Sequence, residues 1–420
     1  MNAELLFYII IAIIIADYLL DRYLEFLNSK YRNIPLPEEL KGVYDEGRYR
    51  KSQNYEAENQ RFAFYTSSFN LLLIILFLSF EGFAFVNDVA HSVTEHYLLV
   101  PLVFFGILFL ALDIINLPFS LYATFVIEEK YGFNKTTPRT FFMDKIKGYI
   151  LTAILGGGIL LLIVWFYQQT GNKFWLYAWG IVIIFSLLLT MFYTYLILPL
   201  FNKLTPLEEG DLKSKIVNFS KKVGFRLKDI FVMDGSKRST KANAFFSGLG
   251  KKKRIVLFDT LINELKNNEI LAVLAHEIGH YKKKHTLVNF AISVIQTGLT
   301  LFILSLLIDN PLLSNALGIS EPSFHISLIA FSLLYSPIST ILGIGTNYIS
   351  RKNEYTADEF AKQNGLGNSL IEALKKLSSK NLSNLTPHPS YVFINYSHPA
   401  LLQRIRYLQG YSTKLLYHEG

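Results

Sequence analysis

Residues 267–284 read Asn267-Asn268-Glu269-Ile270-Leu271-Ala272-Val273-Leu274-Ala275-His276-Glu277-Ile278-Gly279-His280-Tyr281-Lys282-Lys283-Lys284. This is a helix: Glu269 stands near its start, and three lysines fill its last turn, where positive charge suits the helix dipole. His276 and His280 are four residues apart, so both imidazoles leave one face and can meet one metal ion. Glu277, beside the first histidine, then points toward a metal-bound water and can take its proton. Just past the lysines an apolar run begins at Leu287 and continues to Ile308, long enough to cross a bilayer. A metal-binding helix leading directly into a span sets the class of protein: membrane-embedded, with a soluble metal site at its boundary.

Working outward, six further apolar runs of spanning character occupy residues 5–20, 69–86, 98–121, 148–167, 174–200 and 326–344. Composition agrees. Hydrophobic residues make up 51% of the 420 and charged residues only 18%, below the roughly 25% charged residues of soluble domains. Cysteine is absent, which excludes disulfides, thiolate metal ligands and a cysteine nucleophile.

The net charge of +8 comes from 41 Lys and Arg against 33 Asp and Glu. Sorted by loop, forty of those 41 fall on one side of the membrane and only Lys173 on the other. Even without the long soluble segments, which translocate largely regardless of charge, thirteen basic residues oppose one. The positive-inside rule then puts the N-terminus outside and both soluble segments in the cytoplasm. The excess charge is an orientation signal. Basic clusters such as Lys282-Lys283-Lys284 and Lys251-Lys252-Lys253-Arg254 are expected to meet membrane lipids, with no nucleic acid as partner. Four regions follow: 1–200 with spans one to five; 201–286 with the metal-binding helix and three short strands, 229–233, 244–248 and 254–258, expected as a small antiparallel meander; 287–346 with spans six and seven; and 347–420, holding a helix over 350–363 and a loop over 382–399.

A third metal ligand is needed. His285 is the nearest candidate, but the extended HExxHxxGxxH pattern requires Gly at 283, where Lys stands. The other route is a second helix, where Glu354 could bind the metal and Asp358, one turn on, could hydrogen-bond the outer nitrogen of a ligand histidine. The spacing alone leaves this level with an ordinary amphipathic helix bearing solvated acids, since Glu359 is also present.

The sequence resembles the type I CAAX prenyl proteases, membrane zinc endopeptidases that cut beside a prenylated C-terminal cysteine. The resemblance runs through Leu117-Pro118-Phe119-Ser120-Leu121-Tyr122, Phe125-Val126-Ile127-Glu128-Glu129-Lys130-Tyr131-Gly132-Phe133-Asn134-Lys135, Ser239-Thr240-Lys241-Ala242-Asn243-Ala244-Phe245-Phe246, Lys253-Arg254-Ile255-Val256-Leu257-Phe258-Asp259-Thr260-Leu261, the HExxH motif, Glu354 to Asp358, and Ser397-His398-Pro399 with Arg404. It implies a mainly α fold, with seven membrane helices around a chamber and a zincin-like soluble portion. It implies one zinc held by His276, His280 and Glu354, with Asp358 behind them and Glu277 as general base. It further implies His398, with Arg404 beside it, at the developing oxyanion, and Asn243 on a strand that receives the substrate. The substrate would be a lipidated or membrane-associated peptide or protein. Two other readings use the same residues: a quality-control protease of damaged membrane proteins, and a membrane scaffold with a vestigial metal site. The Tyr417-His418-Glu419-Gly420 end carries no retrieval signal, and a bacterial inner membrane is expected rather than an endoplasmic reticulum.

Overall fold

Apolar runs continue as helix until a residue that cannot hold helical geometry stops them, and here most run well past the hydropathic spans. The computed structural model describes residues 2–247 and 254–411; Gly248, the basic run 251–253 and the 417–420 end lie outside the described residues. The first helix is Ala3–Lys30. The second, Glu46–Ser79, starts in the soluble loop at an Asp45 cap that accepts the Arg48 amide at 2.7 Å. Glu81, at φ 54°, then takes the left-handed conformation and the chain restarts as Gly82–Val93. The second span therefore ends before the expected residue 86.

Among the described residues, six helical stretches are long and apolar enough to cross a membrane. The longest, Pro138–Phe201, is broken at Gly171, whose φ of 52° and ψ of −134° fit no helix. The chain folds back there and stacks Phe166 on Tyr177 at 4.7 Å. Six stretches thus make the seven crossings expected. Polar residues within them bond across helices: Asp17 to Ser336, Lys145 to Asp113 at 2.6 Å, and Gln296 to Thr346 at 3.3 Å. Only 6–17% of the most apolar window of each stretch is buried. Helices whose outer faces meet lipid give such values, since only their inward faces are covered by protein.

Two expectations are corrected. Among the described residues the sheet has four strands, β1 (Leu204–Pro206), β2 (Asp229–Met233), β3 (Ala244–Ser247) and β4 (Arg254–Phe258), in the order β1-β2-β4-β3. Because β2 and β4 pair in parallel, it is a mixed sheet rather than an antiparallel meander. The reason lies in the connection after β2: it swings out to bridge Ser239 with Asn134, so β3 returns on the far side of β4. The loop expected over 382–399 contains a short helix, Pro389–Asn395, opened by a capping His388.

The helix expected over 350–363 is the last part of a 40-residue helix, Phe324–Gln363, continuous with span seven. One apolar cluster under the soluble portion joins Leu40, Ile127, Phe219, Ile278, Leu370 and Ile405. The two soluble segments and the loops after spans one and three therefore share a core.

Candidate metal centre

The motif helix, Asn267–Lys282, is fixed at its start by Glu269, whose carboxylate accepts the Lys266 amide at 2.8 Å and pairs with Lys376 at 2.7 Å. Its fourth motif residue, Gly279, lies against the long helix Phe324–Gln363. A methyl group on Gly279 would meet the Cα and carbonyl oxygen of Ala357 and Cβ of Phe360 at 3.1 Å. The absence of a side chain there lets the two helices touch. The signal for this was in the sequence, since a glycine inside a helix costs about 1 kcal/mol against alanine and usually has a packing reason.

That contact brings three donor groups together. His276 Nε2 lies 3.1 Å from His280 Nε2 and 3.4 Å from Glu354 Oε2, and His280 Nε2 lies 3.2 Å from Glu354 Oε1. Ligands about 2.1 Å from a tetrahedral ion stand roughly 3.4 Å apart, so this triangle has the edges that one zinc-sized ion needs. Glu354 is 3% exposed, and its Oε2 forms no proper hydrogen bond although His398 Nδ1 lies 3.0 Å away. A buried carboxylate oxygen held only by loosely placed neighbours, with His276 Nε2 at 3.4 Å and Arg404 Nη1 at 3.5 Å, is costly, and a cation would satisfy it. The residues present therefore fit a metal.

The outer nitrogens are also held. Asp358, fully buried, sits 2.7 Å from His276 Nδ1. Arg404, expected beside His398 on the oxyanion, gives both arms of its fork to Asp358, at 2.9 and 2.6 Å, and is 11% exposed. It braces Asp358. His285, the nearest alternative ligand, stands behind His280, with its Nδ1 3.0 Å from His280 Nδ1 and its Nε2 3.0 Å from Thr356 Oγ1. Burial and the Arg404 cation both oppose a proton on His276, but hydrogen bonds to Asp358 and Glu354 outweigh them and, without a metal, hold its pKa at about 9. For Arg404, burial also opposes the charge, and Asp358 and Glu354 overcome it, so its pKa lies above the ordinary arginine value.

Glu277 is half-buried and makes no hydrogen bond or ion pair among the described residues. His398 is 64% exposed, at the open side of the triangle. The segment bearing it is anchored by residues that sequence reasoning missed or left without a role. Arg351, 4% exposed, donates to the carbonyls of Val392 and Tyr396, and Asn347 donates to that of Ile394 at 2.7 Å. Asn347, Arg351, Glu354 and Asp358 follow one another at helical spacing on the long helix.

Asn243 lies just before β3, the last strand in the sheet order, so the outer edge of β3 pairs with no strand among the described residues. Its Oδ1 accepts the Ala244 amide at 2.8 Å. Behind it, the Glu128–Lys135 segment docks on residues 238–241. Lys241 pairs with Glu128 at 2.9 Å, and Thr240 donates to the Phe133 carbonyl at 3.0 Å. β3 reaches the motif helix through Phe225, whose ring contacts both Phe246 and Tyr281.

Comparison with known proteins finds relatives along almost the whole chain. Residues 26–203 match the family described as CAAX prenyl protease N-terminal, five membrane helices, and residues 206–412 match peptidase family M48. The chain is similar to the CAAX prenyl protease 1 homolog of Arabidopsis thaliana, with 36% identity over 414 residues covering 96% of this chain and 98% of that one. It is similar to CAAX prenyl protease 1 of Saccharomyces cerevisiae, with 35% identity covering 95% and 94%. The crystal structure of S. mikatae Ste24p superposes with a TM-score of 0.91 at 34% identity, over 97% of this chain and 99% of that one.

Proposed function

The chain belongs to peptidase family M48, within its multi-span CAAX prenyl protease branch, and from that premise we propose that this membrane metalloprotease cleaves prenylated or otherwise membrane-anchored peptides near their C-termini, using one zinc ion. The observation that carries the reading is the triangle of His276, His280 and Glu354, with the Glu277 carboxylate next to His276 on the same helix.

Bound there, zinc would polarise the scissile carbonyl and acidify a bound water. Glu277 accepts the water proton and returns it to the leaving amine. His398 donates to the developing oxyanion from the open side. Arg404 acts at one remove, by holding Asp358 and through it the ring of His276. The free edge of β3 receives the peptide as an added strand, with the Asn243 side-chain amide available for one more carbonyl. A lipid-bearing substrate suits a site at the end of membrane helices, where an anchored chain arrives already held in the bilayer. The orientation we propose follows the charges: protease portion on the cytoplasmic side, N-terminus opposite. The bacterial inner membrane expected from the sequence gains no support from the relatives named above, which are eukaryotic.

The test is Glu277→Gln. It should keep metal near one per chain and lower cleavage about a thousandfold, within the range for loss of a general base. Unchanged cleavage by this variant would sink the mechanism.

A further inference from the structure

Between the motif helix and the membrane helix His285–Leu307, Lys284 takes a left-handed conformation, at φ 61°. Side chains other than glycine rarely hold this geometry, and where they do it tends to serve a site. Here the sharp turn folds His285 back onto His280. His285 is 7% exposed. Its two ring nitrogens face one group each, His280 Nδ1 at 3.0 Å and Thr356 Oγ1 at 3.0 Å.

The proton positions follow in sequence from the helix backbone. The Thr356 hydroxyl lies 2.9 Å from the Asn353 carbonyl oxygen, which can only accept. With its single proton given to that carbonyl, the hydroxyl presents a lone pair to His285. His285 Nε2 must then carry the hydrogen. No carboxylate hydrogen-bonds His285 among the described residues, so with the hydrogen on Nε2 its Nδ1 is the acceptor that faces His280 Nδ1. That nitrogen accepts from His280 Nδ1–H. With its proton on Nδ1, His280 presents an unprotonated Nε2 to His276 and Glu354. The opposite polarity would point a hydrogen from His280 into the metal site.

We infer that Thr356 and His285 form a relay that fixes the tautomer and ring orientation of His280, making both of them positioning residues for metal binding. The inference rests on the reading of His280 as a ligand. The long helix then contributes three groups at alternate positions: Glu354 to the metal, Thr356 to His280 through His285, and Asp358 to His276. Each ligand imidazole is steered from the same helix, one directly and one through an intervening ring.

The experiment is zinc competition against a chelator with purified protein in detergent, alongside the melting temperature of the zinc-stripped protein. His285→Phe should weaken zinc binding about ten- to a hundredfold and Thr356→Val about tenfold, the usual scale for groups behind a metal ligand. Thr356→Ser should restore it, and stripped-protein melting should stay at the parent value. Parent-like zinc affinity in His285→Phe, or equal affinity in Thr356→Val and Thr356→Ser, overturns the relay. If His285→Phe does not fold, the Thr356 pair decides. His280→Ala separates the two ideas. Full zinc occupancy in that variant removes His280 as a ligand and the relay with it. Loss of zinc there with parent-like affinity in His285→Phe removes the relay alone.

Discussion

At the residue scale, the decisive fact about His276 is what holds its proton. With two carboxylates bonded to it, the ring stays protonated below about pH 9 when no metal is present. A metal must displace that proton, so its affinity should fall as the solution is acidified. Zinc titrations between pH 6 and 10 should show the dissociation constant improving by up to about tenfold per pH unit and levelling above pH 9. A flat profile across that range would show that His276 does not carry the proton. For the metal-free protein the sign reverses. A pKa raised from 6.5 to about 9 adds stability that is complete below pH 6.5 and lost as pH rises through 9. Arg404 belongs to the same scale. With both fork arms on Asp358, Arg404→Lys should weaken zinc binding as well as turnover, because lysine cannot make the bidentate contact. A purely oxyanion-directed arginine would lower turnover and leave zinc affinity alone.

At the element scale, the site is the crossing of two helices at Gly279 and Ala357. Gly279→Ala puts a methyl 3.1 Å from backbone atoms in the middle of a long helix, which has no soft direction in which to yield. Overpacking of this kind costs about 1–3 kcal/mol, offset in part by alanine's helix preference. The variant should melt lower and bind zinc more weakly, since Glu354 moves away with its helix; parent-like values on both measures would show that the crossing tolerates a methyl. The elements also divide by how legible they were. The motif helix and its two histidines could be read locally, because four-residue spacing is a property of the chain alone. The parallel pairing of β2 with β4 could not, because it depends on where residues 235–243 travel, and that is set by Asn134 more than a hundred positions away. The sequence suggests a span over 326–344 and a separate helix over 350–363, where the structure has one unbroken helix, Phe324–Gln363. Arg351 instead turns inward to hold the His398 segment. The bond from Arg404 to Asp358 crosses 46 positions between separate helices, and no local pattern announces such a pair.

At the scale of the whole molecule, the weakly buried spans and the densely buried protease core are two regimes of one chain, joined by helices that pass from one into the other. The proposed topology rests on charge sorting, which assigns forty of the 41 basic residues to one side. The absence of cysteine makes that topology easy to test. Lys173→Cys and Lys222→Cys, each the only thiol in its chain, should label from opposite faces of intact vesicles; labelling from one face would contradict the proposed orientation. The segments most specific to the family, Glu128–Lys135 and the stretch around Asn243, proved to be physically docked on one another, which gives the resemblance a structural content beyond the metal motif. The central claim is that a zinc site at a membrane boundary acts on lipid-anchored peptides. The direct measurement is cleavage by the reconstituted protein of one CAAX-type peptide in prenylated and unprenylated forms, with chelator and with zinc restored. The account predicts at least about tenfold preference for the prenylated form, loss of cleavage with chelator and recovery with zinc. Equal cleavage of the two peptides, or cleavage that survives removal of the metal, would contradict it.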